Sequence, residues 1–264
     1  VGRRIEDMFP KRNQTLKQVV LQATKLCGHA IKDISFEVRR GEILGIGGLV
    51  GSGRTELLRS LFGADQVTSG TFTINGTQVA LNSTTASIKA GLALVPEERR
   101  SQGIVPMLSV FDNTSLVWDE FPAARATSDP KQKAIANVIK RLSVKTPSLS
   151  QSITKLSGGN QQKVVLSKWL LADTTVMLLD EPTRGVDVGA KREIYQIMSD
   201  LATKGMSIIL VSSELPELLG LADRIIVMNS GEIVGELTGE ATEEDVIALS
   251  MTHVTSDVTK TVIA

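Results

Sequence analysis

The chain has 264 residues, and its 29 basic residues are balanced by 29 acidic ones, so the formal net charge is zero. A neutral chain in which only 3% of the residues are aromatic is not typical of nucleic-acid-binding proteins, which need basic surfaces and stacking rings. The single cysteine, Cys27, cannot form an internal disulfide, which fits a reducing compartment. No apolar run approaches the ~20 residues of a membrane-spanning helix, so a function at a membrane would need another chain.

The predicted elements follow a charged opening segment. Residues 1–17 have the composition of a linker, and the chain begins at Val1 instead of a methionine, so we expect a fragment of a longer polypeptide. The next short runs alternate apolar and polar residues, which predicts a small antiparallel layer with a hairpin turn at Asn75-Gly76. These runs are residues 19–22, 34–38, 70–74 and 77–81.

A second set of short runs is almost continuously apolar and alternates with longer helical stretches. This pattern predicts an α/β fold with a largely parallel sheet whose central strands are buried on both faces. The predicted strands are residues 42–46, 93–95, 176–179, 207–211 and 224–228.

The strands are interrupted by a predicted helical insert at about residues 97–157. Within it, residues 131–142 place apolar side chains at helical spacing and predict an amphipathic helix. Residues 242–251 predict a last helix that begins with a capping box, and residues 252–264 predict a polar, frayed tail.

The first motif with a chemical role is a glycine-rich loop between a predicted strand and a predicted helix. The segment GLVGSGRT matches the P-loop frame, in which backbone N–H groups and a helix N-terminus bind phosphate oxygens. We predict that the Thr55 hydroxyl binds Mg²⁺, and that Arg54 stands where the usual lysine would be. The predicted phosphate-binding residues are Gly48, Gly51, Ser52, Gly53, Arg54 and Thr55.

Two carboxylates follow the predicted strand at residues 176–179. Asp180 would reach a metal ion at the carboxyl edge of the sheet, where ligands of α/β proteins bind. Glu181 would then orient or deprotonate the water that attacks the γ-phosphate. The alternative is that both acids only end a strand before the turn at Pro182.

A third motif, LSGGNQQ, begins at Leu156 and precedes a predicted helix. Ser157 is predicted to cap this helix, and Gly158 and Gly159 leave its first N–H groups open as a second phosphate receptor. Since one domain cannot easily wrap both receptors around one nucleotide, we expect this receptor to complete a site on a partner. An ordinary capped helix is the alternative interpretation.

Together, these three motifs resemble those of the ATP-binding cassette (ABC) ATPases over residues 19–251. The stretches VPEERRSQGIVP, LSGGNQQK, LDEPTRGVDVGAK and ILVSSELPE resemble the second cassette of ribose-, galactose- and xylose-type importer ATPases, which carry two cassettes in tandem. The resemblance implies a P-loop NTPase fold with a RecA-like parallel-sheet core, an antiparallel β layer and a helical subdomain. Residues 18–251 would then form the nucleotide-binding domain.

The resemblance also implies roles for residues outside these motifs. Glu97 stands where the family has its lid, usually a glutamine that touches Mg²⁺ and the membrane partner. Asp187, in the segment RGVD, matches the D-loop that crosses the dimer interface. Ser213 stands where most cassettes place a switch histidine on the γ-phosphate, and we count it with Glu181 as a candidate catalytic residue.

Three departures from the family pattern decide how active the site is expected to be. Arg54 stands in place of the lysine and has a planar guanidinium instead of an ammonium group. Ser213 stands in place of the histidine, and residues 19–30 contain no Phe, Tyr or Trp that could stack on adenine. His29 lies in that stretch, where a plain loop histidine is the commoner case. The domain either hydrolyses ATP itself or binds nucleotide at a degenerate site. We favour the second interpretation, in which LSGGN completes the active site of the sister cassette.

The resemblance therefore implies an ATP·Mg²⁺-dependent motor domain at the cytoplasmic face of the bacterial inner membrane. Its expected partners are the sister cassette, integral membrane permease subunits and, indirectly, a periplasmic sugar-binding protein, with no nucleic acid. The alternative is a soluble ABC ATPase of DNA repair or of the ribosome, but the coiled-coil insertions or basic segments of such proteins are absent from the sequence.

Overall fold

The structure is a computed structural model that describes residues 8–10, 18–121, 125–238, 241–252 and 262–263. Most of the predicted linker and of the predicted tail lies outside these residues. Within them the strands are β1 (Val19–Gly28), β2 (Ile34–Arg39), β3 (Ile43–Gly48), β4 (Val67–Ile74), β5 (Thr77–Gln78), β6 (Leu92–Val95), β7 (Val176–Asp180), β8 (Ser207–Val211), β9 (Arg224–Asn229), β10 (Glu232–Thr238) and β11 (Val262–Ile263). The α-helices are α1 (Arg54–Phe62), α2 (Thr84–Lys89), α3 (Val110–Glu120), α4 (Lys131–Arg141), α5 (Gly158–Leu170), α6 (Val188–Thr203), α7 (Leu215–Leu221) and α8 (Glu243–Ser250).

The larger sheet has the strand order β11-β10-β9-β3-β8-β7-β6. The five strands from β9 to β6 run parallel, and every residue of β7 and of β8 is buried. Strands buried on both faces need continuous apolar sequence, so the prediction of a parallel core is confirmed. The antiparallel neighbour β10 was not predicted, because glutamates and partly exposed residues break its apolar pattern.

The smaller sheet is antiparallel and has the order β2-β1-β4-β5, which confirms the predicted second layer. Asn75 and Gly76 have φ values of 49° and 76°, so both adopt the left-handed conformation that a tight hairpin turn requires. The last strand is shorter than predicted. After Gln78 only the Val79 N–H still bonds across, to the Phe72 carbonyl at 3.0 Å.

The insert is helical, as predicted. Its described residues form a π-helical turn at Arg99–Gly103, helices α3 and α4 and a 3₁₀ turn at Ile153–Lys155, with isolated bridges as their only β pairing. Helix α3 begins with a capping box, in which the Ser109 side chain and the Asp112 side chain each accept from the other's backbone N–H. The Thr114 and Ser167 hydroxyls are 3.2 Å apart and join α3 to α5.

The last predicted helix is confirmed as α8, including its capping box of Thr242 and Asp245. The tail differs from the prediction where it is described, because residues 262–263 form a short parallel strand beside β10. Within the described part of the chain, no helix is both long and apolar enough to cross a membrane.

Candidate nucleotide-binding site

The glycine-rich loop connects the end of β3 to the start of α1. A Cβ on Gly48 would lie 2.4 Å from the Met228 carbonyl oxygen, and the φ of 143° at this position would by itself strain any other residue. A Cβ on Gly53 would lie 2.9 Å from the Ala30 carbonyl oxygen. Gly51 has a φ of 81° but nothing within 4 Å of its missing Cβ, so it borders open space. Gly48 and Gly53 therefore let the loop pack closely against the protein, whereas Gly51 lies on its open side.

That open space is a cavity of about 370 Å³. Ser52 lines it and is only 4% exposed, yet its Oγ has no hydrogen-bond partner among the described residues. A buried hydroxyl without a partner is costly, so the loop is built for a polar ligand that supplies one. The cavity is lined by Val50, Gly51, Ser52, Gly53, Arg54, Thr55, Glu56, Glu97, Glu181, Arg184, Val211 and Ser213.

Asp180 ends β7 beside the loop and is 2% exposed. Burial raises the pKa of this carboxyl to about 6, while a hydrogen bond from the Thr55 Oγ1, 3.2 Å from Oδ1, opposes the rise. A buried carboxylate beside a hydroxyl is an oxygen donor set that suits Mg²⁺, whose charge would offset the loss of solvation. Thr55 and Asp180, brought together as the sequence predicts, thus fit the metal.

Glu181 and Ser213 are also brought together. The Ser213 hydroxyl donates a hydrogen bond to Oε2 of Glu181 at 3.1 Å. Glu181 has a φ of 46°, an uncommon conformation for a residue other than glycine. Its backbone N–H donates to the Val211 carbonyl at 2.9 Å, which ties this strained position to the end of β8.

Arg54 extends from the start of α1 to the loop that follows β8. Its Nη1 donates to the Ser212 carbonyl oxygen at 3.0 Å. A lysine ammonium has its three donors on one nitrogen, whereas the planar fork of Arg54 can hold that carbonyl with one nitrogen and present the N–H groups of another to a ligand. The arginine therefore links the glycine-rich loop to the segment that carries Ser213.

A buried cluster behind these residues was missed by the sequence reasoning. Glu217, in α7, is 1% exposed and accepts hydrogen bonds from Thr183 Oγ1, 2.9 Å from Oε1, and from Ser212 Oγ. Burial raises the pKa of Glu217 to about 7 against the opposing effect of these hydrogen bonds. In the sequence, Glu217 is a glutamate in the first turn of a helix, where acidic residues are common, so nothing there indicates that it is buried. The cluster joins the loop after β7 to the loop after β8.

The predicted cap by Ser157 is wrong in its chemistry. Ser157 occupies the N-cap position of α5, but its hydroxyl makes no hydrogen bond to the helix backbone. It accepts instead from the Asn160 side-chain amide at 2.9 Å, because a side chain one turn into the helix competes for the same oxygen.

Gly158 and Gly159 are packed closely at this helix start. A Cβ on Gly158 would lie 3.0 Å from Arg99 Nη2, and one on Gly159 would lie 2.4 Å from the Ala190 Cβ. Within the described part of the chain, neither glycine nor Ser157 lines the cavity around the glycine-rich loop. The two predicted phosphate receptors of this chain are therefore separate.

The remaining predicted residues have local partners. The Glu97 carboxylate lines the cavity and is paired with the Arg184 guanidinium. Asp187 is the N-cap of α6, and its Oδ1 accepts from the Ala190 N–H at 3.0 Å. His29 is exposed, in the loop between β1 and β2.

Comparisons with known proteins agree with this geometry. Residues 31–184 match the family model described as ABC transporter. The chain is 47% identical over 253 residues to the ribose import ATP-binding protein of Lactococcus lactis subsp. lactis (strain IL1403), covering 95% of this chain and 51% of that protein. It is 48% identical over 254 residues to the galactose/methyl galactoside import ATP-binding protein of Clostridium tetani (strain Massachusetts / E88), covering 94% of this chain and 50% of that protein. The chain thus spans about half the length of these relatives.

Solved structures show the same fold. A nucleotide-free ATP-binding cassette from an ABC transporter superposes with a TM-score of 0.72 at 20% identity, covering 88% of this chain and 95% of that one. A dimeric ATP-binding cassette in a post-hydrolysis state, bound to ADP and Pi, superposes with a TM-score of 0.70 at 20% identity, covering 82% and 97%.

Proposed function

Because the chain belongs to the ABC transporter family, we propose that it binds ATP with Mg²⁺ in the cavity above its glycine-rich loop and serves as a motor domain of a bacterial sugar importer. The observation that carries this proposal is the buried, unpartnered Ser52 hydroxyl beside the Thr55–Asp180 pair. Such a cradle offers hydrogen-bond donors to phosphate oxygens and oxygen ligands to a cation. The sugar-import relatives support the kind of cargo.

The chain's own residues have separable tasks in this proposal. The backbone of residues 48–55 binds the phosphates, and Thr55 and Asp180 hold Mg²⁺, which when bound neutralises phosphate charge. Glu181 lines the same cavity and is the candidate to orient the attacking water or to take its proton. Its carboxylate is fixed by the Ser213 hydroxyl, so the two residues act as a unit.

We propose further that this site binds nucleotide but turns it over slowly. Ser213 has no imidazole ring to donate a charged hydrogen bond to a γ-phosphate, and in this structure its hydroxyl donates to Glu181. The loss of one such transition-state donor typically costs about 3 kcal/mol. The start of α5, which lies away from the cavity, would instead complete the competent site of a sister cassette in the same polypeptide.

The proposed partners are a sister cassette, the permease and, indirectly, a sugar-binding protein. The relatives are about twice as long as this chain, which supports a second cassette next to residues 18–251. The helical insert at about residues 97–157 would dock a cytoplasmic segment of the permease, since it lies between Glu97 and the start of α5. A motion of the insert would then reach both sites. A periplasmic sugar-binding protein would act through the permease, with the motor peripheral on the cytoplasmic face.

The test is steady-state phosphate release from the reconstituted importer with two variants. We expect Glu181→Gln to reduce turnover only mildly and Ser157→Arg nearly to abolish it, because the larger side chain fills the receptor for the sister's γ-phosphate. Ser69→Arg is the matched control, since it adds the same side chain at an exposed serine of β4, outside the insert that would dock the permease.

Two outcomes would contradict the proposal at different levels. If calorimetry detects no ATP binding by the wild-type domain at millimolar concentration with Mg²⁺, the site assignment fails. If Glu181→Gln silences the importer as completely as Ser157→Arg does, this domain's own site is a working catalyst and the degenerate-site proposal fails.

A further inference from the structure

A phenylalanine ahead of the cassette is inserted between two of its helices. The ring centroid of Phe9 lies 5.1 Å from that of Tyr195 in α6, with the ring planes tilted by 34°. On the other side, a Cβ on Gly220 in α7 would lie 2.3 Å from both Cγ and Cδ2 of Phe9. Real side chains do not approach this closely, so the ring occupies space that only a glycine leaves free.

The neighbouring residue strengthens the anchor. Met8 and Phe9 are both half-buried and pack against the main hydrophobic core, although the composition of residues 1–17 predicts a charged linker. A half-buried aromatic ring in a notch contributes apolar burial and a ring–ring contact that a solvated linker would lack. These residues therefore behave as part of the domain.

The notch leads directly to the buried cluster behind the nucleotide cavity. Gly220 is three residues after Glu217, so both lie on neighbouring positions of the same helix face. Tyr195, which is 2% exposed, interacts through its hydroxyl with the Thr183 side chain. Thr183 in turn donates to Glu217, so a continuous set of contacts runs from the ring of Phe9 to the loop after β7.

We propose that residues 8–10 form a strap that fastens the segment preceding the cassette to the notch between α6 and α7. Through this notch Phe9 positions α6 and α7, whose Tyr195 and Glu217 side chains contact Thr183 in the loop after β7. The D-loop at residues 184–187 follows Thr183 directly and is positioned with it. The notch between α6 and α7 is the docking surface, and its occupant is Phe9 of this same chain. It depends on the packing of α6 and α7, and it holds whether or not the nucleotide site is degenerate.

A double-mutant cycle on the 264-residue chain tests the docking, with urea unfolding as the measurement. Gly220 has no left-handed φ, so helix propensity alone predicts that Gly220→Ala raises the folding equilibrium constant by about fivefold. With Phe9 in the notch, we expect Gly220→Ala to lower the unfolding midpoint instead. In the Phe9→Ala background the same substitution should raise it, because the competing ring is gone.

The direction in which Gly220→Ala shifts the unfolding midpoint tests whether Phe9 occupies the notch. Stabilisation by Gly220→Ala in the wild-type background would show that Phe9 is not in the notch. Equal destabilisation in both backgrounds would show that another group causes the clash, which also overturns the proposal. Phe111→Ala is the matched control, since it removes a half-buried ring from α3, and it should not change the sign of the Gly220→Ala effect.

Hydrogen exchange tests the positioning. The Arg184 N–H donates to the Glu181 carbonyl and the Val186 N–H to the Thr183 carbonyl, each at 3.1 Å. We expect Phe9→Ala to speed exchange at these two amides several-fold and to leave the amides of the antiparallel sheet unchanged, whereas Phe111→Ala should not affect them selectively. Unchanged exchange at Arg184 and Val186 in Phe9→Ala would refute the positioning role even if the docking is correct.

Discussion

Substitution of Glu217 by glutamine should make the stability of the domain less dependent on pH. Glu217 is 1% exposed, and burial raises the pKa of its carboxyl from an ordinary 4.5 to about 7. Glu214, at the same helix end, raises this pKa further, while Lys191 from α6 lowers it. The buried hydroxyl of Tyr195 also faces the cluster, and its own pKa is raised by burial and by the nearby Glu217.

The direction of this pH dependence follows from how tightly each state binds the Glu217 proton. The folded state holds the Glu217 proton more tightly than the unfolded chain does, so its contribution to stability is fully present below about pH 4.5 and is lost as the pH rises to about 7. The difference between the two pKa values, about 2.5, corresponds to a loss of about 3 kcal/mol across this window. Glutamine has no proton to release there, and the Ser212 and Thr183 hydroxyls can still donate to its carbonyl oxygen.

The assay is urea unfolding of the wild type and of Glu217→Gln between pH 4.5 and pH 8, followed by the fluorescence of Trp118 and Trp169. Asp180, whose pKa burial raises to about 6, contributes a loss of the same sign to both proteins, so the difference between the curves isolates Glu217. Glu244→Gln, which removes an exposed carboxylate, is the control. If Glu217→Gln and the wild type lose stability in parallel over this range, Glu217 does not titrate as a buried acid and the reasoning fails.

Two further predictions use matched pairs within the chain, and the unfolding free energy is the measurement for both. Gly48→Ala should cost about 3 kcal/mol or more, since its Cβ meets the Met228 carbonyl, whereas Gly51→Ala meets nothing and should cost only the left-handed penalty of about 1 kcal/mol; equal costs would contradict the packing argument. Ser109→Ala removes a capping box and should cost about 1 kcal/mol, whereas Ser157→Ala, which removes no backbone cap, should cost only a few tenths; a comparable loss for Ser157→Ala would show that its hydroxyl does cap α5.

The sequence predicted those parts of the fold that a local pattern determines. Buried parallel strands need continuous apolar runs, and β7 and β8 have them. The hairpin at Asn75-Gly76 follows from the two residues that accept a positive φ most readily. Strand β10 was missed because glutamates and partly exposed residues interrupt its apolar pattern, so its pairing with β9 depends on the turn that precedes it.

In the candidate site, too, the residues in local sequence motifs were predictable and those that depend on tertiary contacts were not. Gly48 and Gly53 were predictable because they match the P-loop frame in the sequence, and Asp180 because it directly follows an apolar run. Whether Ser157 bonds to backbone or to Asn160 is a competition between two equally local partners, which composition does not resolve. The burial of Glu217 depends on residues more than 30 positions away, and that proximity exists only after the sheet has formed.

The strand order explains why the departures from the family pattern are linked. Because β3, β8 and β7 are adjacent and parallel, the loops that follow them meet at one edge of the sheet. Arg54 joins the first loop to the second at Ser212, and Ser213 joins the second to the third at Glu181. A change at position 54 therefore alters the support of position 213 and, through it, the orientation of Glu181. The two unusual residues are thus neighbouring parts of one hydrogen-bonded edge, and their effects on nucleotide turnover are expected to be non-additive.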